Sequence, residues 1–498
     1  MSMLDKYRHT IKWVFIALLV KGVFFVWFNN EFKQTHWAKE NRIVKGIFVE
    51  AKDWSDYIAP IQNLIDSGYL GAYYGKDKGI LWAHRMPGFI PIYAPLHFLM
   101  DYQNACVVIA FLQFFTDALA CYIIALIALN LFNNMLVFYL TYFLYLISSF
   151  VSVYTHYGSS EPFCTFFIIL SVYYFVIFQK STQKKHFFLT GFFICWAYFL
   201  RPAIGVLIVL YPLIYIINNG FFKLKSFKYV FRDILIYSST FILFESVWIY
   251  RNFKVMNRFI PMDITAENFA NPQYRVQIQL CIAYGAEYLT DSKDNLLGWF
   301  HPSTRNDTEL YNSNPFPPHC FTPDYNLDSL RLLRQYYWSS IDKDLSLDMK
   351  KKYATETVDK LNLYKKSYIK YHPFRYYVVN RFILLRKFLF VTQTYALPFE
   401  KHTLFQKLVR GVYWGINTFV IALGIVGITL SFYKKNKLAW SLSLLLLAHI
   451  FVHAVILGYI EHRYLVTVFP LLTIYSSYTV SLALAKNRFL TEWKSNIS

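Results

Sequence analysis

Charge is scarce in this chain. Only 16% of its 498 residues are Asp, Glu, Lys or Arg, against roughly 25% in soluble domains, which argues against an ordinary cytoplasmic enzyme. No phosphate-cradling glycine loop is found, so nothing points to a nucleotide as the donor of a group. No internal repeat is evident, which weakens a transporter built from inverted halves. The six cysteines show no zinc-site spacing. Cys106, Cys121, Cys164 and Cys195 lie in apolar runs and read as small buried hydrophobes. Cys281 and Cys320 lie in a polar stretch, where a disulfide and two free thiols are equally open readings.

What is abundant is apolar sequence: 56% of residues are hydrophobic and 20% aromatic. Bilayer-length apolar runs recur from residue 11 to residue 485, which predicts an all-α polytopic membrane protein. An outer-membrane barrel would give a much weaker hydropathy signal. About ten spans are expected, within a range of about 9–13. They fall near 11–29, 104–127, 135–153, 162–179, 186–200, 203–218, 233–250, 411–432, 438–458 and 464–485. Arg201-Pro202 interrupts the fifth and sixth, so a broken or re-entrant pair is an alternative there.

The formal charge of +20 suggests nucleic acid only until its placement is read. Basic clusters occupy alternate span ends: Lys6, Arg8 and Lys12; Lys180, Lys184 and Lys185; Lys223, Lys225, Lys228 and Arg232; Lys434, Lys435 and Lys437; Lys486, Arg488 and Lys494. With these connections facing the cytoplasm, they hold 16 basic residues and three acidic ones. Both termini are then expected to be cytoplasmic in a plasma (inner) membrane. The opposite, extracytoplasmic face receives a first loop at 30–103 and a long insert at 251–410. The insert's 23 Lys/Arg do not contradict this, since loops of that length translocate largely regardless of charge. Residues 374–397 read as an interfacial helix rather than an eleventh span. The chain thus divides into an N-terminal transmembrane module (1–250), the insert (251–410) and a C-terminal transmembrane module (411–498).

Once orientation is fixed, ionisable residues from distant stretches gather on one face. These are Asp53 and Asp56; His84 and Arg85; Glu161; Arg201; Glu245 and Arg251; and Glu461, His462 and Arg463. Charges at helix ends often snorkel or cap, and that bland reading holds for any one of them. Their coincidence on one surface instead suits a site combining a proton-accepting carboxylate with cations for an anionic group. Lys21 and Asp117 lie deep in spans one and two, and a structural pair is favoured over a proton relay.

The order of short motifs resembles the C-type (GT-C) superfamily of multi-spanning, polyprenyl-phosphate-sugar-dependent glycosyltransferases. The chain is most similar to bacterial relatives of protein O-mannosyltransferases and the lipid A aminoarabinose transferase. The motifs are Asp53-Trp54-Ser55-Asp56-Tyr57 and Asn63-Leu64-Ile65-Asp66-Ser67-Gly68, then Arg85-Met86-Pro87-Gly88 and Leu112-Gln113 with Asp117. Ser160-Glu161-Pro162, Arg201-Pro202, Arg251-Asn252 and Glu461-His462-Arg463-Tyr464 follow. The resemblance covers about 1–255 and 405–485. It implies an inverting glycosyltransferase that takes a sugar from a polyprenyl-phosphate (such as undecaprenyl-phosphate) donor to a lipid, glycan or protein acceptor. It also implies an Asp of the first outer loop as general base, which maps best onto Asp53, with Asp56 the second candidate. Arg85, Arg201 and Arg463 are the expected phosphate-binding cations. Tyr57, His84, Glu161, Glu461 and His462 are supporting candidates. Tyr284, Trp299, His301 and Trp338 of the insert are candidate sugar or lipid contacts. With a lipid-linked donor no nucleotide is needed, no ligand spacing specifies a cofactor, and a divalent metal beside Asp53, Asp56 and Glu161 stays open. Two other functions fit the same residues: a flippase for lipid-linked sugar, and a glycan polymerase or ligase with a diphosphate-linked donor.

Overall fold

The computed structural model describes residues 3–35, 42–50, 52–73, 80–83, 85–221, 227–262, 299–300, 306–390, 397, 403–457 and 462–495. The architecture is an all-α polytopic bundle, with two short antiparallel ribbons in the first loop. Each of the ten expected spans is largely helical, the third ending its α-helix at Ile147 and the tenth broken between His462–Val466 and Phe469–Ser495. Among the described residues seven helical stretches are long and apolar enough to cross a bilayer. They are Thr10–Lys33, Tyr102–Phe132, Met135–Tyr154, Glu161–Ser181, Pro202–Asn219, Leu404–Tyr433 and Lys437–Leu457.

In chain order, α1 (Met3–Lys33) leads to ribbon strands β1 (Ile43–Val44) and β2 (Phe48–Val49), then to α2 (Lys52–Ser67). Gly68, at φ +75°, stops α2 in the left-handed conformation that glycine adopts without a Cβ penalty. A second ribbon, β3 (Ala72–Tyr73) with β4 (Ile80–Leu81), precedes a 3-10 turn at Pro87–Phe89 and the short α3 (Ile90–Leu99). Helix α4 (Tyr102–Phe132) starts on Asp101, whose carboxylate accepts from the Asn104 N–H. The uncharged connection to α5 (Met135–Ile147) is two asparagines. Asn133 takes φ 50°, and the Asn134 side chain caps α5 at the Leu136 N–H.

Helices α6 (Glu161–Ser181) and α7 (Lys184–Leu200) pack together, and α8 (Gly205–Ile216) follows the Arg201-Pro202 break. Arg201 is extended (φ −147°, ψ 100°) and Pro202 opens a 3-10 turn, so the break is a sharp corner between two helices. Helix α9 (Phe227–Met256) closes the N-terminal half by packing on α7.

The insert carries α10 (Thr308–Asn312), α11 (Leu327–Ile341), α12 (Leu347–Tyr371), a π-helical turn at Arg375–Val379 and α13 (Asn380–Phe390). The last two cover much of the expected interfacial segment. Residues of the insert form a hydrophobic cluster separate from the main core. At its centre the buried Arg334 guanidinium lies 3.8 Å from the Trp299 ring centroid and 4.2 Å from that of Tyr311. Trp299 and Trp338 are therefore interior groups and not the expected sugar contacts: a cation–π core takes up their faces. Cys320 is buried in the same cluster. Tyr284, His301 and Cys281 lie outside the described residues.

The C-terminal part consists of α14 (Leu404–Tyr433), α15 (Lys437–Phe451) with a π-helical extension at Val452–Leu457, the short α16 (His462–Val466) and α17 (Phe469–Ser495).

The two deep charges do pair. Lys21 Nζ lies 3.3 Å from Asp117 Oδ2, each side chain 1% exposed. Ser152 Oγ and the Tyr145 and Ser148 carbonyls accept from the ammonium, while Tyr145 and Ser152 hydroxyls donate to the carboxylate. These contacts tie α1, α4 and the end of α5 together, as a structural pair requires.

Candidate active site

The first turn of α2 carries Asp53, Asp56 and Tyr57, whose i, i+3, i+4 spacing presents them along one face. Trp54 fixes that turn from the opposite side. It is 1% exposed, its indole N–H donates to Tyr102 Oη at 3.1 Å, and its ring meets Phe48, Phe89 and Tyr93 edge-on. The connection between α5 and α6 locks against the same turn. Val49 exchanges backbone hydrogen bonds with His156 O and the Gly158 N–H, both 2.9 Å. A Cβ on Gly158 would lie 2.7 Å from the Trp54 ring, so only glycine permits this approach.

Five chain segments then meet around one carboxylate. Arg463 Nη1, on α16, donates to Asp53 Oδ2 at 2.6 Å. Arg85 Nη2 donates to Asp53 Oδ1 at 3.1 Å and reaches Asp56 Oδ2 at 3.4 Å. At the corner between α7 and α8, Arg201 pairs with Glu161, the first residue of α6, and Arg463 Nε lies 3.7 Å from the same Glu161 oxygen. Tyr57 Oη hydrogen-bonds Ser160 Oγ at 3.1 Å, and the Arg85 guanidinium lies over the Tyr57 ring at 5.1 Å. The result is a half-exposed Asp53–Arg85–Arg463 layer above a buried Glu161–Arg201 pair.

Burial works to raise the Asp53 carboxyl's pKa, but Arg463, Arg85 and Arg201 together outweigh it and hold it down to about 2. Asp53 is thus an ionised acceptor at neutral pH. Burial pushes the Tyr57 phenol up, which keeps it a neutral hydrogen-bonding group.

Of the residues expected at the site, Asp53, Asp56, Tyr57, Arg85, Glu161, Arg201 and Arg463 come together. His84 and Glu461 lie outside the described residues, and of His462 only the backbone, at the start of α16, is described. Arg251 serves the site indirectly, tethering the first loop to α9 through the Trp82 and Leu70 carbonyls. Glu245 is buried on α9 and makes no ion pair among the described residues.

Two groups escaped notice in the sequence, His449 and His453. Both are fully buried; His449 Nε2 donates to the Tyr464 carbonyl at 3.1 Å, and His453 Nε2 to the Ala203 carbonyl at 3.2 Å. The His453 ring also stacks on Tyr464, 4.5 Å centroid to centroid, and the Arg201 guanidinium lies 5.5 Å from that tyrosine's centroid. They brace the segments that present Arg463 and Arg201. Their i, i+4 spacing on an apolar span was the available signal.

Among the described residues no three His, Cys, Asp or Glu side chains converge, and both Asp53 oxygens already accept from guanidinium groups.

No protein-family model matches the chain, and no curated protein does. Among solved structures, the fold is similar to that of an Archaeoglobus fulgidus oligosaccharyltransferase crystallised with Zn and sulfate. The two superpose with a TM-score of 0.50 at 11% identity, over 97% of this chain and 50% of the other. The chain spans half the length of that neighbour, and what the two share is the fold.

Proposed function

We propose that the protein is an inverting glycosyltransferase that moves a sugar from a polyprenyl-phosphate donor to a lipid, glycan or protein acceptor at the extracytoplasmic membrane surface. The observation that carries this reading is the Asp53 carboxylate held between Arg85 and Arg463, beside the Glu161–Arg201 pair. The fold shared with an oligosaccharyltransferase is consistent with it. Cytoplasmic termini and an extracytoplasmic site follow the distribution of basic residues.

The chemistry needs three things of the protein: a proton acceptor, cations for a phosphate, and exclusion of water. In the resting site the guanidinium groups are spent on Asp53, which makes it a weak base. A donor phosphodiester competes for Arg463 and Arg85, and each guanidinium that turns toward phosphate oxygens releases the Asp53 carboxylate. The basicity of Asp53 therefore rises as the donor binds. The acceptor O–H bond then breaks, its proton passing to Asp53. The acceptor oxygen bonds to the anomeric carbon, and the carbon–oxygen bond to phosphate breaks with its electron pair leaving on the lipid phosphate. The extra negative charge on that leaving group is met by the arginines, a contribution of roughly 2.7–4 kcal/mol for one well-placed donor. One displacement inverts the anomeric configuration.

Incubating purified protein with polyprenyl-phosphate sugars and a membrane glycan extract, with mass spectrometry of the products, tests the proposal. A product heavier than the acceptor by one sugar, with free polyprenyl phosphate, is expected. Translocation of the lipid-linked sugar in vesicles without product would establish a flippase instead. Transfer only from diphosphate-linked oligosaccharides would establish the polymerase or ligase reading.

A further inference from the structure

The insert ends in a helical segment with an outward face that no described part of the protein covers. Along Arg375–Val379 and α13 the inward residues Tyr376, Asn380, Arg381, Leu384 and Phe388 are buried. The opposite face carries Phe374, Tyr377, Val378 and Phe382, exposed by 70%, 60%, 49% and 68%. Steps of three, one and four residues make an apolar stripe on one side of the helical segment.

Two further observations say what meets this stripe. The first is charge. Residues 360–399 contain eight Lys/Arg and no Asp or Glu. Lys366 and Lys370 are exposed just before the stripe, and Arg386 is exposed just after it. The second is position. Phe388 stacks on His453 at 6.4 Å, and α13 packs against the Val452–Leu457 extension and α16, the helix that bears Arg463. The stripe therefore sits at the end of the bundle where the acid–arginine cluster lies.

We infer that this segment is an anionic-lipid-binding element: Phe374, Tyr377, Val378 and Phe382 enter the headgroup–acyl boundary of the leaflet on the site's side, while Lys366, Lys370 and Arg386 engage its phosphates. Aromatic residues on one face with flanking bases are the pattern of a helix lying in the plane of a charged membrane surface. The element anchors the insert beside α16, and the leaflet it reads is the one from which a lipid-linked substrate would reach the cluster.

The test uses the full chain in vesicles and reads position, so its outcome is independent of sugar transfer. Phe382→Cys, labelled with a polarity-sensitive fluorophore, is reconstituted in phosphatidylcholine with or without phosphatidylglycerol. Unsubstituted protein gives the background, since the five cysteines among the described residues are buried. Lipids spin-labelled at a shallow depth should quench the label more strongly than a water-soluble nitroxide, with the difference larger in the anionic vesicles. In the Lys366→Glu, Lys370→Glu, Arg386→Glu background, the ratio of inserted to water-exposed label in anionic vesicles should fall by at least about fivefold per residue. Stronger quenching from water than from lipid would overturn the inference, as would equal quenching in neutral and anionic vesicles that charge reversal leaves unchanged. Shielding that appears only as protein concentration rises would assign the stripe to a second copy and overturn it as well.

Discussion

Replacing Asp53 by Asn separates the two jobs its carboxylate could have. Asparagine keeps an oxygen in the same place but removes the charge and the ability to take a proton. Loss of a general base lowers the chemical step about 10²–10⁴-fold, or roughly 3–5 kcal/mol in the transition state. The same change weakens the hydrogen bonds from Arg463 at 2.6 Å and Arg85 at 3.1 Å. Hydrogen bonds to charged groups contribute roughly 1.5–3 kcal/mol, and here each also restrains a guanidinium that the donor phosphate needs. In D53N the arginines are freer, so donor affinity should hold or improve while kcat collapses. The assay is initial-rate product formation against donor concentration, with donor binding measured separately on the inactive variant. A variant that keeps more than about a tenth of wild-type kcat would refute the base role. Donor affinity weakened at unchanged kcat would show that Asp53 only positions its arginines.

Three further outcomes follow from the geometry. Gly158→Ala drives a methyl into the Trp54 ring and shifts the first turn of α2, so kcat should drop at least about tenfold in protein that still folds, as checked by size-exclusion profile and activity. Lys21→Met leaves Asp117 buried without its cation and should cost about 3–5 kcal/mol in unfolding free energy, whereas adding Asp117→Leu should recover much of that loss. For pH, the Asp53 value of about 2 lies below the ordinary 3.8 of an unfolded chain. Its roughly 2 kcal/mol of stabilisation is therefore complete above the unfolded value and disappears as pH falls toward 2. Denaturation midpoints of wild type and D53N should converge on acidification through that window and stay parallel above it.

Much of this site was legible before any coordinates. Asp53, Arg85, Glu161, Arg201 and Arg463 could be placed on one face because lipid forbids most alternatives: a charge at a span end has only two sides to choose from. Lys21 and Asp117 were paired by the same logic, since neither could face hydrocarbon alone. What escaped had no such constraint. Trp299 and Trp338 look like sugar-stacking residues until Arg334 is found between them, and that contact joins positions 35 apart through a fold no periodicity encodes. His449 and His453 sit in an apolar span where neutral histidine is ordinary filler. Their role emerges only from the carbonyls of Tyr464 and Ala203, which arrive from other helices.

The link between Asp53 and Arg463 joins residues 410 positions apart. During synthesis the whole stretch between them must be made before that handshake can occur. Until Arg463 is made, Asp53 lacks one of the two guanidinium groups that hold it, so the assembled centre waits for that distant segment.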